Sequence, residues 1–204
     1  MSRKPIYVVT TPEGAELYFD NLRMITGIKI PDGVETITFS SEGSNSNVSS
    51  YYSVNLIGLN YQFPDIKEII VGKDISGIYI DNEMFPNVRK VTSHSTKFKS
   101  GSMLIYNDGY SYPTLYNTFC LNADEVIDLK GVKWIHRRAF SGCLSTRIIN
   151  ADKIANVAKD AFKGSMFSYM PQQNGIVMAG PILADIAPDV DEVVIGNGVN
   201  IITP

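Results

Sequence analysis

The chain has 204 residues, 44% of them hydrophobic, and its 18 basic and 21 acidic residues leave a net charge of -3. This length allows one substantial core or a one-dimensional stack of small ones, and the slight negative charge offers no positive surface for phosphate backbones. We therefore expect no nucleic-acid partner. No apolar run reaches the length of about 18 residues that a membrane span needs, so we expect no membrane insertion.

The first elements are a hairpin and a set of degenerate repeats. Residues 7–19 contain two apolar runs on either side of the turn signal Pro12-Glu13-Gly14, which predicts a capping hairpin over residues 1–23. Residues 24–100 follow as degenerate repeats. Within them, FPDIKEI at 63–69 matches FPNVRKV at 85–91 at an interval of 22 residues.

Two later segments interrupt the repeats. Residues 101–119 consist of an apolar run, the turn residues Asn107-Asp108-Gly109 and a second apolar run. Residues 169–191 have the same form around Gly180-Pro181. Both patterns predict β-hairpins inserted between repeats.

The repeat is clearest over residues 120–168. Sliding the sequence by 22 places Phe140 on Phe162 and Cys143 on Ser165. Seven apolar positions agree without a gap: Val126 with Ile148, Ile127 with Ile149, Leu129 with Ala151, Val132 with Ile154, Ile135 with Val157, Ala139 with Ala161, and Phe140 with Phe162.

This spacing predicts a solenoid with inserted β-hairpins. Each repeat begins with a short β-branched run, continues through a turn and two apolar anchors, and has the length of one coil. Stacked coils place their strands about 4.8 Å apart in a parallel sheet, so Phe140 and Phe162 should be buried in adjacent coils. The alternative is a β-rich sandwich with one duplicated hairpin.

Residues 192–204 form an incomplete last repeat, which starts with the predicted strand EVVIG. Val193, Ile195, Val199 and Ile202 are expected to form an uncapped coil. An open coil exposes a strand edge and an apolar rung. We therefore expect self-association through this coil, and further repeats in the natural protein.

Three stretches resemble the BspA-type leucine-rich repeat: VIDLKGVKWIHRRAFSGC, KIANVAKDAFKGS and GIKIPDGVETI. The resemblance implies a β-rich α/β solenoid of leucine-rich repeats, each about 22 residues long with one short parallel strand per coil. It also implies an extracellular or cell-surface protein that binds a host or cell-surface protein or adheres, and not an enzyme. The sequence shows no signal peptide, so a cytoplasmic location stays open.

The sequence offers few residues for chemistry. The two histidines, His94 and His136, have no acidic or thiolate cluster nearby, so we expect no metal, no cofactor and no catalytic residues. Cys120 and Cys143 lie one coil apart. Two buried thiols are the favoured state, with a disulfide between neighbouring coils as the alternative.

Tyrosines are the candidate binding residues because rigid amphipathic rings on loops are frequent in binding surfaces. The alternative is that most of them only pack the hairpins. Function has three candidates: a protein-binding or adhesion module, a purely structural repeat segment of a larger surface protein, or an enzyme. The candidate tyrosines lie in the irregular and hairpin regions: Tyr51, Tyr52, Tyr61, Tyr106, Tyr110, Tyr112 and Tyr116.

Overall fold

The described residues form a β-solenoid of about six turns with stacked parallel strands and almost no helix. The computed structural model describes residues 8–10, 16–19, 25–30, 32–40, 52–73, 75–170, 175–186 and 190–204. The helices in these ranges are two short 3-10 helices, Asn82–Met84 and Met166–Tyr169. The α component of the expected α/β class is therefore not observed in the described residues.

The strands are short because each one is a single side of a coil. β-Branched runs such as EIIV form them, since branched side chains pack well on a pleated surface. In chain order the described strands are β1 (Val8–Thr10), β2 (Glu16–Phe19), β3 (Ile25–Lys29), β4 (Thr36–Ser40), β5 (Tyr52–Asn55), β6 (Glu68–Val71), β7 (Ile75–Tyr79), β8 (Lys90–Ser93), β9 (Phe98–Lys99), β10 (Leu104–Tyr106), β11 (Thr114–Asn117), β12 (Ile127–Asp128), β13 (Trp134–Ile135), β14 (Ile148–Ile149), β15 (Asn156–Val157), β16 (Ile176–Ala179), β17 (Ile182–Ile186) and β18 (Ile201–Ile202).

The first stack of coils is built on β4, β6 and β8, which pair in parallel. Ile37, Ile69 and Val91 are aligned across these strands and buried. The predicted match between the segments at 63–69 and 85–91 is confirmed, because Ile69 pairs with Val91. The rings of Phe63 and Phe85 also stack, with their centroids 5.6 Å apart.

The second stack contains the clearest repeats. Its strands β11, β13 and β15 pair in parallel and align the buried residues Leu115, Ile135 and Val157. Phe140 and Phe162 are buried, and their stacked rings have centroids 4.5 Å apart. The predicted phenylalanine ladder is confirmed. Equivalent residues of successive coils lie side by side here, so the chain is not the alternative β-sandwich.

One predicted register is wrong. The sequence alignment placed Ile127 beside Ile149, whereas β12 and β14 pair Ile127 with Ile148. The segment that enters β14 is therefore one residue shorter than the segment that enters β12. Asn150 is an extra residue after β14, and it returns the spacing between paired residues to 22 at β13 and β15. Its φ of 57° is a left-handed conformation that asparagine tolerates. Its amide nitrogen donates to the Asp128 carboxylate over 2.7 Å.

The hairpin segments are part of the stack. β10 pairs antiparallel with β11, and β16 pairs antiparallel with β17. In addition, β11 pairs in parallel with β13, and β17 with β18. The second strand of each hairpin thus continues into the stacked sheets.

The first two strands differ in pairing from the predicted capping hairpin. β1 pairs antiparallel with β4, and β2 pairs antiparallel with β3. Among the described strands, each arm of the predicted hairpin is therefore hydrogen-bonded to a later strand. The predicted turn at residues 12–14 lies outside the described residues.

The strand of the last segment lies closer to the C-terminal end of the sequence than predicted. Residues 192–195 are not a strand, and the strand observed within 190–204 is β18, which pairs with β17. Because β18 occupies this edge of β17, the run at 192–195 lies outside the sheet, and Val194 is 78% exposed. Ile195 and Ile202 are also exposed, so the outer side of this coil is uncovered in the described structure.

Among the described residues, buried side chains form two clusters along the stack. The first includes Phe39 and Phe85, and the second includes Phe140, Phe162 and Phe167. A single coil has too little apolar surface to fold alone, so stability comes from the interfaces between neighbouring coils.

Candidate functional site

Tyrosine side chains from several coils meet on one surface. Tyr116 is half-buried and contacts three other rings: Tyr79 with centroids 6.2 Å apart, Tyr106 at 6.0 Å, and His136 at 4.6 Å. Strand geometry explains the Tyr116–His136 contact. Leu115 pairs with Ile135 and both point into the core, so the residues that follow them point outwards together.

A second ring pair extends this surface. Trp134 precedes buried Ile135, so its indole points outwards like the His136 ring. It stacks on Tyr112 with centroids 5.5 Å apart and an angle of 24° between the rings. Both rings are exposed. We call this surface the aromatic face: Tyr79, Tyr106, Tyr112, Tyr116, Trp134 and His136.

The other predicted tyrosines take different positions. Tyr61 is exposed and stacks on Phe63, with centroids 6.1 Å apart. Tyr110 is 96% exposed in the hairpin turn. Tyr51 and the side chain of Tyr52 lie outside the described residues. The structure therefore brings Tyr106, Tyr112 and Tyr116 together, and it places Tyr61 beside the cavity described next.

A groove runs beside the aromatic face. It consists of two adjoining cavities of about 340 and 720 Å³, which share the lining residues Ile57, Asp81 and Arg138. The smaller cavity also contains Tyr79, Tyr116 and His136, and the larger one contains Tyr61. We define the groove by Ile57, Tyr61, Tyr79, Tyr116, His136 and Arg138.

Buried Asn82 fixes the floor of the groove. Its side-chain amide donates to the Thr118 hydroxyl over 3.2 Å and to the Ser141 carbonyl, and its oxygen accepts from the Thr118 backbone N–H over 2.9 Å. These three residues belong to different coils. The network therefore ties the smaller cavity to the stack beneath it.

Most charged groups around the groove have partners within the protein. Asp81 accepts a hydrogen bond from the Gly58 N–H over 3.0 Å, and Glu83 accepts one from the Ser141 hydroxyl. Arg137 pairs with Asp160 at 3.2 Å. Arg138, by contrast, has neither an ion pair nor a side-chain hydrogen bond among the described residues.

Burial shifts the pKa of three rings of the aromatic face in the direction that favours the neutral form. Burial lowers the pKa of His136, which favours its neutral imidazole. Burial also raises the pKa of Tyr116, and burial together with a hydrogen bond to Asp108 raises the pKa of Tyr106 to about 12. These three rings therefore favour uncharged forms, which present flat surfaces with hydrogen-bonding edges.

In the part of the chain that the structure describes, the histidines and cysteines form no cluster of three possible metal ligands. His94 is exposed, and His136 stacks on Tyr116. Cys120 and Cys143 are free thiols, and burial raises the pKa of both, that of Cys120 to about 12. In the described ranges, no three His, Cys, Asp or Glu side chains are grouped as metal ligands would be.

Sequence reasoning missed four residues of this site: Tyr79, Trp134, His136 as a surface ring, and Arg138. The alternation around Ile135 is a signal that would have placed Trp134 and His136 outwards. No comparable signal brings Tyr79 beside Tyr116, since that contact depends on how separate coils stack.

Comparisons of the chain with protein-family models, with curated proteins and with solved structures found no match. Within the described part of the chain, no helix is long and apolar enough to cross a membrane. The features of the chain that bear on its function are the aromatic face, the groove and the repeat pattern.

Proposed function

We propose that the chain is a non-enzymatic protein-binding or adhesion module of a BspA-like leucine-rich-repeat protein, acting at the cell surface or after secretion. The observation that carries the proposal is the aromatic face beside the groove. Aromatic rings supply large contact area with little loss of side-chain entropy, and they are enriched in protein interfaces.

The repeat pattern supports the leucine-rich-repeat assignment. In the coil that begins near Leu121, the positions that the repeat assigns to the interior are buried, and Gly142 and Gly164 occupy equivalent turns with φ of 72° and 77°. Glycine suits this conformation because it has no Cβ. The buried interior positions of this coil are Leu129, Val132, Ile135, Ala139, Phe140 and Cys143.

The second candidate is a purely structural repeat segment. The exposed apolar residues of the coil at residues 190–204 favour it, because they offer a surface on which other β-structure can stack. An enzyme has less support. Asp81 and Glu83 beside the groove are already hydrogen-bonded within the protein, and burial raises the pKa of both thiols, which disfavours the reactive thiolate.

Capture of surface-labelled host-cell proteins tests the binding role. We expect the unaltered chain to retain a specific protein that Tyr79→Ala and Trp134→Ala each retain at least about tenfold less, because exposed interface rings carry much of the binding energy. Tyr169→Ala is the matched control, since Tyr169 is 77% exposed and lies outside the aromatic face.

Equal capture by the aromatic-face variants and the control would contradict the assigned surface. Capture of no protein, together with retention on a glycan array, would replace protein binding by glycan adhesion. No retention in either experiment would favour the purely structural segment.

Self-association through the last coil is a separate expectation. β18 pairs with β17 on one side only among the described strands, and Ile202 is exposed beside it. We expect light scattering to show a mass that rises with concentration, and Ile202→Lys to abolish the rise because a charge opposes stacking at an edge. Leu144→Lys, also at an exposed apolar residue, is the control. A constant monomer mass would contradict this expectation.

A further inference from the structure

Arg138 occupies the junction of the two cavities that form the groove. Its guanidinium has five donors in a planar fork, which fits a carboxylate with two parallel hydrogen bonds. No described residue accepts a hydrogen bond from this guanidinium, so its N–H groups can donate to a ligand in the groove.

Arg138 occupies a backbone position whose conformation suits other residue types better. Arg138 has φ of 56°, a left-handed conformation that is uncommon for residues other than glycine, asparagine and aspartate. The equivalent position in the next coil has the same conformation and is Asp160, with φ of 61°. Local backbone preference therefore does not explain why this position is an arginine.

The surroundings of Arg138 select the charge of a ligand. Asp81 and Glu83 lie beside it and Arg137 is paired with Asp160, so the groove has little excess positive charge. A polyanion would be repelled by the two carboxylates. A single carboxylate that forms a short-range pair with Arg138 would not need a strongly positive surface.

The neighbouring rings select the rest of the ligand. Tyr79 and Tyr116 lie in the smaller cavity, and neutral His136 stacks on Tyr116. We propose that the groove binds an extended peptide segment of a partner protein, in which an aspartate or glutamate pairs with Arg138 and an adjacent apolar or aromatic side chain packs on Tyr79 and Tyr116. This inference rests on the proposed protein-binding function.

A displayed library of random peptides, selected on the immobilised chain, tests the proposal. We expect the selected peptides to share an acidic residue next to a large apolar one. Fluorescence anisotropy with one selected peptide should then show binding at least about tenfold weaker for Arg138→Asn, since a charge-assisted pair is lost. Asparagine suits the left-handed backbone, so thermal unfolding should show a fold at least as stable.

Two controls distinguish loss of the ion pair between Arg138 and the peptide carboxylate from a general loss of positive charge. Lys130→Asn removes an exposed cation that does not line the groove, and it should leave the affinity unchanged. Replacing the acidic residue of the peptide by its amide should weaken binding to the unaltered chain. The same peptide change should have no further effect on Arg138→Asn.

The outcomes also separate the inference from the proposed function. If Tyr79→Ala abolishes peptide binding while Arg138→Asn does not, the carboxylate pairing is wrong and the aromatic binding surface stands. If the library yields no binding peptide, the peptide inference is wrong, while capture of a folded partner protein still decides the proposed function.

Discussion

Phe140→Ala should lower the free energy of unfolding by about 3–5 kcal/mol, because truncation of a buried phenylalanine leaves a cavity that the surrounding coils cannot close. Phe140 is fully buried and contacts both Phe162 and Phe167, with centroids at 4.5 and 6.2 Å. Urea unfolding followed by circular dichroism measures the change.

Two further variants make this prediction specific to the ladder. Tyr110→Ala removes a ring that is 96% exposed, and it should change stability by less than about 0.5 kcal/mol. The double variant Phe140→Ala with Phe162→Ala should lose less than the sum of the single changes, because each change already removes the shared ring contact. Strict additivity would contradict the importance of this contact.

Asn82→Ala should cost about 2–4 kcal/mol, since it leaves the Thr118 N–H and the Ser141 carbonyl without their amide partner in a buried position. Thermal and urea unfolding measure the loss. Asn87→Ala is the matched control: Asn87 is exposed, and its side chain donates to the Pro64 carbonyl at the surface.

Asn82→Ala also tests the floor of the groove. Because Asn82 links three coils beneath the smaller cavity, peptide binding should weaken with stability, whereas Asn87→Ala should affect neither. Equal stability of the two variants would show that the Asn82 network adds nothing beyond a surface hydrogen bond.

The repeat interval was sufficient to predict the coils. Phe140 and Phe162 lie one interval apart in the sequence and stack in adjacent coils, and the same holds for Phe63 and Phe85. In a solenoid, residues that are one interval apart in the sequence contact each other in adjacent coils. The sequence period therefore predicts which residues are neighbours in the structure.

Local departures from the interval were not predictable. Ile127 pairs with Ile148 because the intervening chain is one residue shorter before β14, and Asn150 compensates with a left-handed backbone. A gapless alignment does not detect a missing residue that an extra residue soon afterwards compensates. The last strand likewise forms at Ile201–Ile202 rather than at residues 192–195. Both runs are apolar, so pairing with β17 decides between them.

The candidate site could be predicted only in part. The hairpin tyrosines were identifiable because aromatic residues were concentrated around turn signals, and three of them lie on the aromatic face. Tyr79 and Arg138 were not identifiable, since neither stands out from its local sequence.

For this protein, the sequence by itself determined the coil length, the interior residues and the phenylalanine ladder, because burial and periodicity act through the nearest neighbours in the stack. Only the tertiary structure decided which outward residues meet. Tyr79, Tyr116 and Arg138 come from separate coils, and their placement around one groove depends on the turns and on the stacking of those coils. Burial does not restrict the residue type at outward positions. The pattern of apolar residues therefore does not predict which outward side chains contact each other.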